Sequence, residues 1–481
     1  MPTNEFILEL EQSLPVAQWR FGDVDLWPVA RQLLWLDSHA RTAPGAGPGM
    51  SHPLRALAVG NAAYLRARWQ DRVHEASLRG CADVVLLSGG ALDRIPRGPT
   101  WYDRHCDPLV DVFELEGARC VQLDPHHLYR TPRYRPSLLI QPRLDWWKIR
   151  SRFGTGGGKT LSLPGHDEVV ARSVREGATA ALVGRRRLLT LAVFMDQVAT
   201  FVQGVVEAMG ARLLVLLDWN AVSQACVVGA RRAGSLSVEL QHGVHGHDHP
   251  HYGQWADLPA GGYSTHPDVY WMWEDTEAML PDWARPGQRS RVLVGGNPWM
   301  SAWQGQGWAA PRLLGAPGPQ VLVTLQPGLD GPGHLAALHT AMATSPASWT
   351  WLVRHHPRTD GPARVAVEKR LRATGARIDV GSANALPIPA LVQQVDAHVT
   401  VSSSSVCEAR ELGLGSVVLD EVVAHEVFAA QVASGDVLVA ATAEELLAAV
   451  ATLCARGRRV ALPQASPQSA VKDLLGQVGR P

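Results

Sequence analysis

The chain has 481 residues, with 45 Lys+Arg balanced by 45 Asp+Glu and 46% hydrophobic residues. That length gives core volume for two or three domains without disulfide or metal staples. The balanced charge supplies no global field for nucleic acid or an anionic membrane, and a wholly disordered chain is excluded.

Four of the basic residues are lysine and the rest arginine, which reads as composition bias of the coding sequence. The six cysteines (Cys81, Cys106, Cys120, Cys226, Cys407 and Cys454) form no CxxC pair, so neither a zinc ribbon nor a disulfide framework is expected. The acidic N-terminal segment has the wrong charge for a secretory signal. The longest apolar stretch, Leu188–Val206, is broken by Asp196, Gln197 and Gln203. A soluble cytoplasmic protein is the expectation.

The first eighty residues read as helical, with apolar positions at three- and four-residue spacing through Phe6–Leu36 and again through Leu54–Leu78. The period then changes. Val84–Leu87 is a short buried-strand run ending in Ser88-Gly89-Gly90, and similar runs follow at Arg119–Leu123, Leu138–Gln141, Leu213–Leu217 and Ser237–Leu240. Helical stretches lie between them, notably Glu168–Met209 and Ala221–Ala233. This alternation predicts an α/β unit whose strands are buried on both faces.

After the Gly/Pro/Trp-rich stretch Asn297–Gln320 the alternation restarts. Strands are predicted at Val321–Leu325, Trp349–Arg354, Arg377–Val380, Ala397–Val401 and Ser416–Leu419. Helices are predicted at Leu335–Ala343, Ala363–Ala373, Ile388–Gln394, Ser405–Leu412 and Ala443–Arg456. The expected organisation is two facing Rossmann-like domains with a helical N-terminal region: residues 1–300 and residues 301–481, with a cleft between them.

Several segments look chemical. The loop Phe153–Thr160 resembles a P-loop, but Phe153 stands where its first glycine belongs and no strand precedes it, so a surface loop is expected. Gln241-His242-Gly243 opens a histidine-rich loop directly after the strand ending at Leu240, at the sheet edge where open α/β sheets place ligands. The later histidines lack ligand partners on a second element, which argues against zinc and leaves a solvated loop. His242 itself is a candidate base, because imidazole titrates near neutral pH and can remove a proton from an attacking hydroxyl, worth ~10²–10⁴ in rate.

Arg354-His355-His356-Pro357 closes another strand, since proline cannot continue the ladder. Those side chains either cap a turn or contact a nucleotide. Ser402-Ser403-Ser404-Ser405 opens the helix that carries Glu408, where hydroxyls and backbone N–H groups suit both capping and phosphate binding. Gln326-Pro327-Gly328 is a third strand-end turn on the same edge. Among the tryptophans, Trp219, Trp255, Trp271, Trp273 and Trp299 lie near these segments and are candidate sugar platforms or core.

In this order and spacing, His356-Pro357, Ser402–Ser405, Glu408-Ala409 and Leu412-Gly413 resemble the HP and SS motifs of GT-B glycosyltransferases that build bacterial surface polysaccharides. These are the sialyl-, polysialyl- and Kdo transferases and the CDP-glycerol glycerophosphotransferases. Gln241-His242-Gly243, Pro267-Asp268-Val269 and Val294–Pro298 resemble the same group, and the likeness spans about residues 235–425. It implies transfer of a sugar or glycerol phosphate from a CMP- or CDP-linked donor to a polysaccharide or glycolipid hydroxyl, without metal or cofactor. Peripheral contact with the inner membrane face is compatible with it, and nucleic acid is not an expected partner.

By that resemblance His242 is the catalytic base, and His356 with Ser403, Ser404 and Ser405 binds the donor's nucleotide; Gln326, Gly328, Arg354, His355 and Glu408, on the same sheet edge, are further candidate donor contacts. Gln241, Gly243 and Asp103 fall to the acceptor side or cleft. The acidic (D/E)(D/E)G tripeptide of the sialyltransferases is absent, Glu114–Gly117 being an approximation, so Asp103 and Asp218 stay open as alternative bases. Two other readings keep the fold: a UDP-GlcNAc 2-epimerase-like enzyme, and a non-catalytic nucleotide-sugar-binding protein.

Overall fold

The computed structural model describes residues 4–42, 65, 82–89, 94–126, 133–154, 158–247, 249–305, 318–326, 332–357, 359, 361–460 and 465–479. The predicted helix at 54–78, apart from residue 65, and most of the expected linker lie outside the described residues.

Runs of valine and leucine form the first sheet because both faces are covered by helices, so every position rewards an apolar side chain. Its strands are Val84–Leu87 (β1), Cys120–Asp124 (β2), Ser137–Leu139 (β3), Leu213–Leu217 (β4), Leu236–Leu240 (β5), Val269–Met272 (β6) and Arg291–Val294 (β7). They pair in parallel in the order β7-β6-β5-β4-β1-β2-β3. The last two were not expected as strands. β6 is a short Val-Tyr-Trp-Met run set between long loops, without the valine and leucine run of the other strands, and β7 is half-exposed along its whole length.

The second sheet comprises Gln320–Thr324 (β8), Thr350–Arg354 (β9), Arg377–Asp379 (β10), Ala397–Thr400 (β11), Ser416–Val418 (β12) and Val437–Val439 (β13). Its order is β10-β9-β8-β11-β12-β13, again all parallel. Both sheets are therefore doubly wound, and the expected pair of Rossmann-like domains is what the chain forms. In each sheet the winding reverses between the first and fourth strands, at β1/β4 and β8/β11. Crevices open outside the carboxyl ends of the strands at such points.

The helical N-terminal region consists of Asn4–Ser13 and Trp27–Thr42, joined through a short hairpin that also pairs with Leu161–Ser162. Glu11 and Arg31 form a fully buried ion pair at 2.5 Å. The desolvation cost of such a pair is offset by further hydrogen bonds to its polar atoms. Glu11 also accepts from Trp27 Nε1 and from the Ala256 amide, each at 2.8 Å. Arg31 lies 4.0 Å over the Trp255 ring and donates to the Gln254 carbonyl. The N-terminal helices are thus bound to the loop that follows β5.

Helix Arg185–Met209 is long and apolar enough, by length and composition, to cross a membrane. Its Leu188, Ala192, Met195, Ala199, Val202 and Val206 instead pack into the first domain's core. Helix Ala221–Arg232 lies against it, and Gly229 permits the approach: a Cβ there would come within 2.5 Å of the Ala199 carbonyl. Asp196 pairs with Lys159 at 2.7 Å and Arg232 at 2.6 Å, so the residue that interrupts the apolar run is an anchor. Lys159, the lysine of the P-loop-like stretch, is engaged there.

The two domains share apolar packing. Val406, Cys407, Val427 and Phe428 of the second join the main core of the first, and Arg410 pairs with Glu274 across the boundary. The last helix, Pro467–Gln477, returns to the first domain, where Ala470, Val471 and Leu474 pack with Leu109, Phe113 and Trp271. The expected unit 301–481 therefore does not stay together to its end, because this amphipathic helix covers the first sheet.

Candidate functional site

The serine turn sits at the switch point of the second sheet, and its four hydroxyls have different fates. Ser405 Oγ lies 3.0 Å from Thr324 Oγ1 and 3.1 Å from His398 Nε2. His398 Nε2 is 2.9 Å from Thr324 Oγ1, and Nδ1 is 2.9 Å from Ser416 Oγ. Burial drives the His398 pKa down to about 3, so the ring is neutral. Ser405 thus faces the interior. Ser403 Oγ accepts from the Ser405 amide at 3.3 Å, Ser402 Oγ is buried without a partner, and Ser404 makes no side-chain cap bond. Ser403 and Ser404 are half-buried.

Arg354 ends β9 and donates Nη1 to the carbonyls of Ala383, at 2.6 Å, and Leu386. His355 is buried, bonded to Glu368 Oε1 at 3.1 Å, with its amide on Asn384 Oδ1 at 3.0 Å. Its pKa is lowered by burial, against the pull of Glu368. His356 is half-buried and its carbonyl receives the Thr359 amide at 2.9 Å. Gln326 is half-buried; Gly328 lies outside the described residues.

A cleft of about 200 Å³ lies between the domains. The second domain lines it with Arg354, Pro357, Pro387, Ile388 and Glu408, the first with Arg94, Ile95 and Arg104, and helix Pro298–Gly305 contributes Trp299. Burial raises the pKa of Glu408, opposed first by Arg104 and then by Arg354. Burial in turn lowers that of Arg354 to about 10. The cleft therefore brings Arg354 and Glu408 together. It adds Arg94 and Arg104, which sequence reasoning missed. Arg94 opens and Arg104 directly follows the hairpin Arg94–Arg97/Thr100–Asp103, a polar insertion after β1 at the first switch point. That placement was the available signal; arginine is too abundant in this chain for one residue to stand out.

On the facing edge, His242 follows β5, half-buried, with Nδ1 enclosed and unpartnered. Gln241 holds the turn: Nε2 donates to the Gly243 carbonyl at 3.0 Å, and Oε1 accepts from the Trp273 amide at 2.8 Å. Leu217 pairs with Leu240, so Asp218 stands beside Gln241 on the same edge. Asp218 is exposed and has φ 69°, a left-handed conformation costly for a residue with a Cβ. Its carboxylate accepts from the Trp219 amide at 2.7 Å and Asn220 Nδ2 at 3.1 Å. His242 is not among the residues lining the cleft.

The later histidines are largely packed, not solvated. His251 is sandwiched between Trp219 at 4.1 Å and Trp283 at 4.9 Å, and its Nε2 lies 3.1 Å from Glu239 Oε2. Tyr252 donates to the other Glu239 oxygen. His245 bonds the Met279 carbonyl at 2.8 Å, and burial lowers its pKa to about 3. Asp103 is 1% exposed and accepts from the His105 and Cys106 amides at 3.0 and 2.9 Å, capping helix Cys106–Leu115; it does not line the cleft. Of the five tryptophans, Trp299 reaches the cleft, while Trp271 is a core residue bonded to the Gly296 carbonyl at 2.8 Å.

No family model matches the chain, and no curated protein matches it. Solved structures do. A Listeria monocytogenes protein assigned as a UDP-N-acetylglucosamine 2-epimerase is 14% identical, with 82% of this chain and 96% of that one covered, at a TM-score of 0.50. The UDP-GlcNAc 2-epimerase of Methanocaldococcus jannaschii is 12% identical over 81% of this chain and 98% of that one, at 0.45. The glycotransferase of kitacinnamycin is 14% identical over 82% and 94%, at 0.41. At 14% identity the likeness to the Listeria structure shows the fold alone, two Rossmann-like domains, and no activity.

Proposed function

We propose that the chain is a metal-independent glycosyltransferase that moves a sugar, or glycerol phosphate, from a CMP- or CDP-linked donor to a hydroxyl of a surface polysaccharide or glycolipid. Its place of work is the cytoplasm, at or near the inner membrane face. The observation that carries this reading is the cleft at the carboxyl edge of the second sheet, with Arg354 and the buried Glu408 in its wall. Glu408 suits a hydroxyl of the donor, since a carboxylate accepts only. Arg354, His356, Ser403 and Ser404 stand on the edge where the donor's phosphate would lie, and cationic and N–H donors there stabilise the charge that grows on the leaving group.

In the transfer of a sugar, the acceptor oxygen attacks the anomeric carbon while the bond from that carbon to the phosphate oxygen breaks. The electron pair leaves with the nucleotide, and His242 takes the acceptor's proton. Among the described residues that line the cleft, Glu408 is the one carboxylate. The test is a thermal-shift panel with CMP, CDP, UDP, GDP and their sugars. A raised midpoint with one base is expected; no shift with any of them overturns the reading. His242→Ala is expected to keep donor binding and lower turnover at least ~100-fold, and unchanged turnover removes His242 from the mechanism.

A further inference from the structure

Glu274 lies two residues past β6, and both its carboxylate oxygens are taken by the second domain. Oε2 accepts from Arg410 Nη1, and Oε1 accepts from Gln431 Nε2 at 3.2 Å. The two donors come from different helices, Ser405–Glu411 and Ala429–Ala433, and Gln431 is fully buried. Arg410 also pairs with Asp436 at 3.4 Å, which Arg459 holds at 2.6 Å. A lone surface ion pair would fix little. A carboxylate engaged at both oxygens from two helices has a defined geometry.

This clamp stands between the two candidate sides of the reaction. Trp273, next to Glu274, donates its amide to Gln241 Oε1 at 2.8 Å, and Gln241 precedes His242. Arg410 follows Glu408 by two residues on one helix. One short path thus runs from His242 through Gln241, Trp273, Glu274 and Arg410 to Glu408. A second contact backs it. Met279 accepts from Gln241 Nε2 at its sulfur, 3.2 Å, and from His245 Nε2 at its carbonyl, 2.8 Å. In the same loop a Cβ at Gly246 would lie 3.3 Å from Val427 Cγ2 of the second domain.

We propose that Glu274 is a positioning residue: gripped by Arg410 and Gln431, it fixes the edge that carries His242 against the helix that carries Glu408. The fixing is a property of the fold, and its effect on turnover rests on the transferase reading.

The experiment follows amide hydrogen exchange and transfer kinetics of the full chain in wild type, Glu274→Ala, Glu274→Gln and Arg410→Ala. The bonded amides of Trp273, Met279 and Phe428 report the two sides of the boundary. Glu274→Ala and Arg410→Ala are each expected to speed their exchange at least ~5-fold, while Val215 and Val323 in the two sheets stay within about twofold. Glu274→Gln is expected to bring the rates back to within about twofold of wild type. Its carbonyl can accept from Arg410 and its amide can donate to Gln431 Oε1, which has no partner in the wild type. In Glu274→Ala kcat is expected to fall at least ~10-fold, with the affinity for CMP and CDP within about twofold, and to recover in Glu274→Gln.

Unchanged exchange in Glu274→Ala, faster exchange throughout both sheets, no restoration in Glu274→Gln, or loosened exchange with kcat unchanged each overturns the proposal. Failure of the transferase reading shows separately. A chain that transfers nothing loses that reading, and the exchange rates alone then decide the clamp. One that transfers normally as Glu274→Ala keeps that reading and loses the clamp.

Discussion

Ser405 Oγ lies 3.1 Å from His398 Nε2, and the pair closes the switch point of the second sheet from the inside, with Thr324 Oγ1 within 3.0 Å of both. A hydroxyl in that position is part of the core and not of a phosphate cradle. Ser405→Ala is therefore expected to lower the unfolding free energy by about 1–2 kcal/mol and to leave nucleotide affinity within about twofold. Urea unfolding and calorimetry on the same variant read both. A tenfold loss of affinity without loss of stability would return Ser405 to the ligand.

The same histidine gives a pH dependence with a definite sign. Its folded pKa is about 3, against 6.5 for an ordinary imidazole, so between those values the unfolded chain binds a proton that the folded chain refuses. Stability is present above the unfolded value and is lost as pH falls toward 3, at up to about 1.4 kcal/mol per pH unit. His398→Asn removes that component. The stability difference between wild type and variant is expected to shrink by about that slope on going from pH 6 to pH 4, measured by denaturant unfolding. A pH-independent difference would mean that the buried ring protonates in place.

How much of this was legible depends on what each residue reports. β4 and β8 were legible because Leu213–Leu217 is an unbroken apolar run and Val321–Leu325 is interrupted by Thr324 alone, and burial on both faces has no other sequence signature at that length. The strand-end turns at Arg354, Ser402 and Gln241 were legible because proline, serine and glycine mark where a ladder stops. The facing of side chains within a turn was not legible. Ser405 and His355 turn inward, to His398 and Glu368, because rotation at a helix start or strand end depends on partners distant in sequence. Arg104 was invisible for the same reason: it acquires meaning only when another domain brings Glu408 and Arg354 to the same cleft.

Asp218 marks the switch point of the first sheet with the one positive φ among the described non-glycine residues. Asp218→Gly relieves a conformational cost of about 1–2 kcal/mol while giving up the bonds to the Trp219 amide and Asn220 Nδ2. These oppose each other, so the expected change in stability is under about 1 kcal/mol. If the carboxylate serves the acceptor side, turnover falls at least ~10-fold in a protein of near-normal stability. Normal turnover in a stable Asp218→Gly chain would make the residue a helix-start device only.

Tyr252 and Glu239 provide a test of how the loop after β5 is held. Glu239 is 1% exposed, and burial lifts its carboxyl pKa well above the ordinary range; Tyr252 donates to one oxygen and His251 faces the other. The Tyr252 ring also lies edge-on to His242, at 6.2 Å between centroids. Tyr252→Phe keeps the ring and removes only the hydroxyl, leaving a buried oxygen without its donor, which costs about 1–3 kcal/mol. The lost tie loosens the segment that presents His242, so kcat is expected to fall with the donor Kd unchanged and the unfolding midpoint lowered. A lowered midpoint with unchanged kcat would show that the buried network stabilises the first domain without positioning His242.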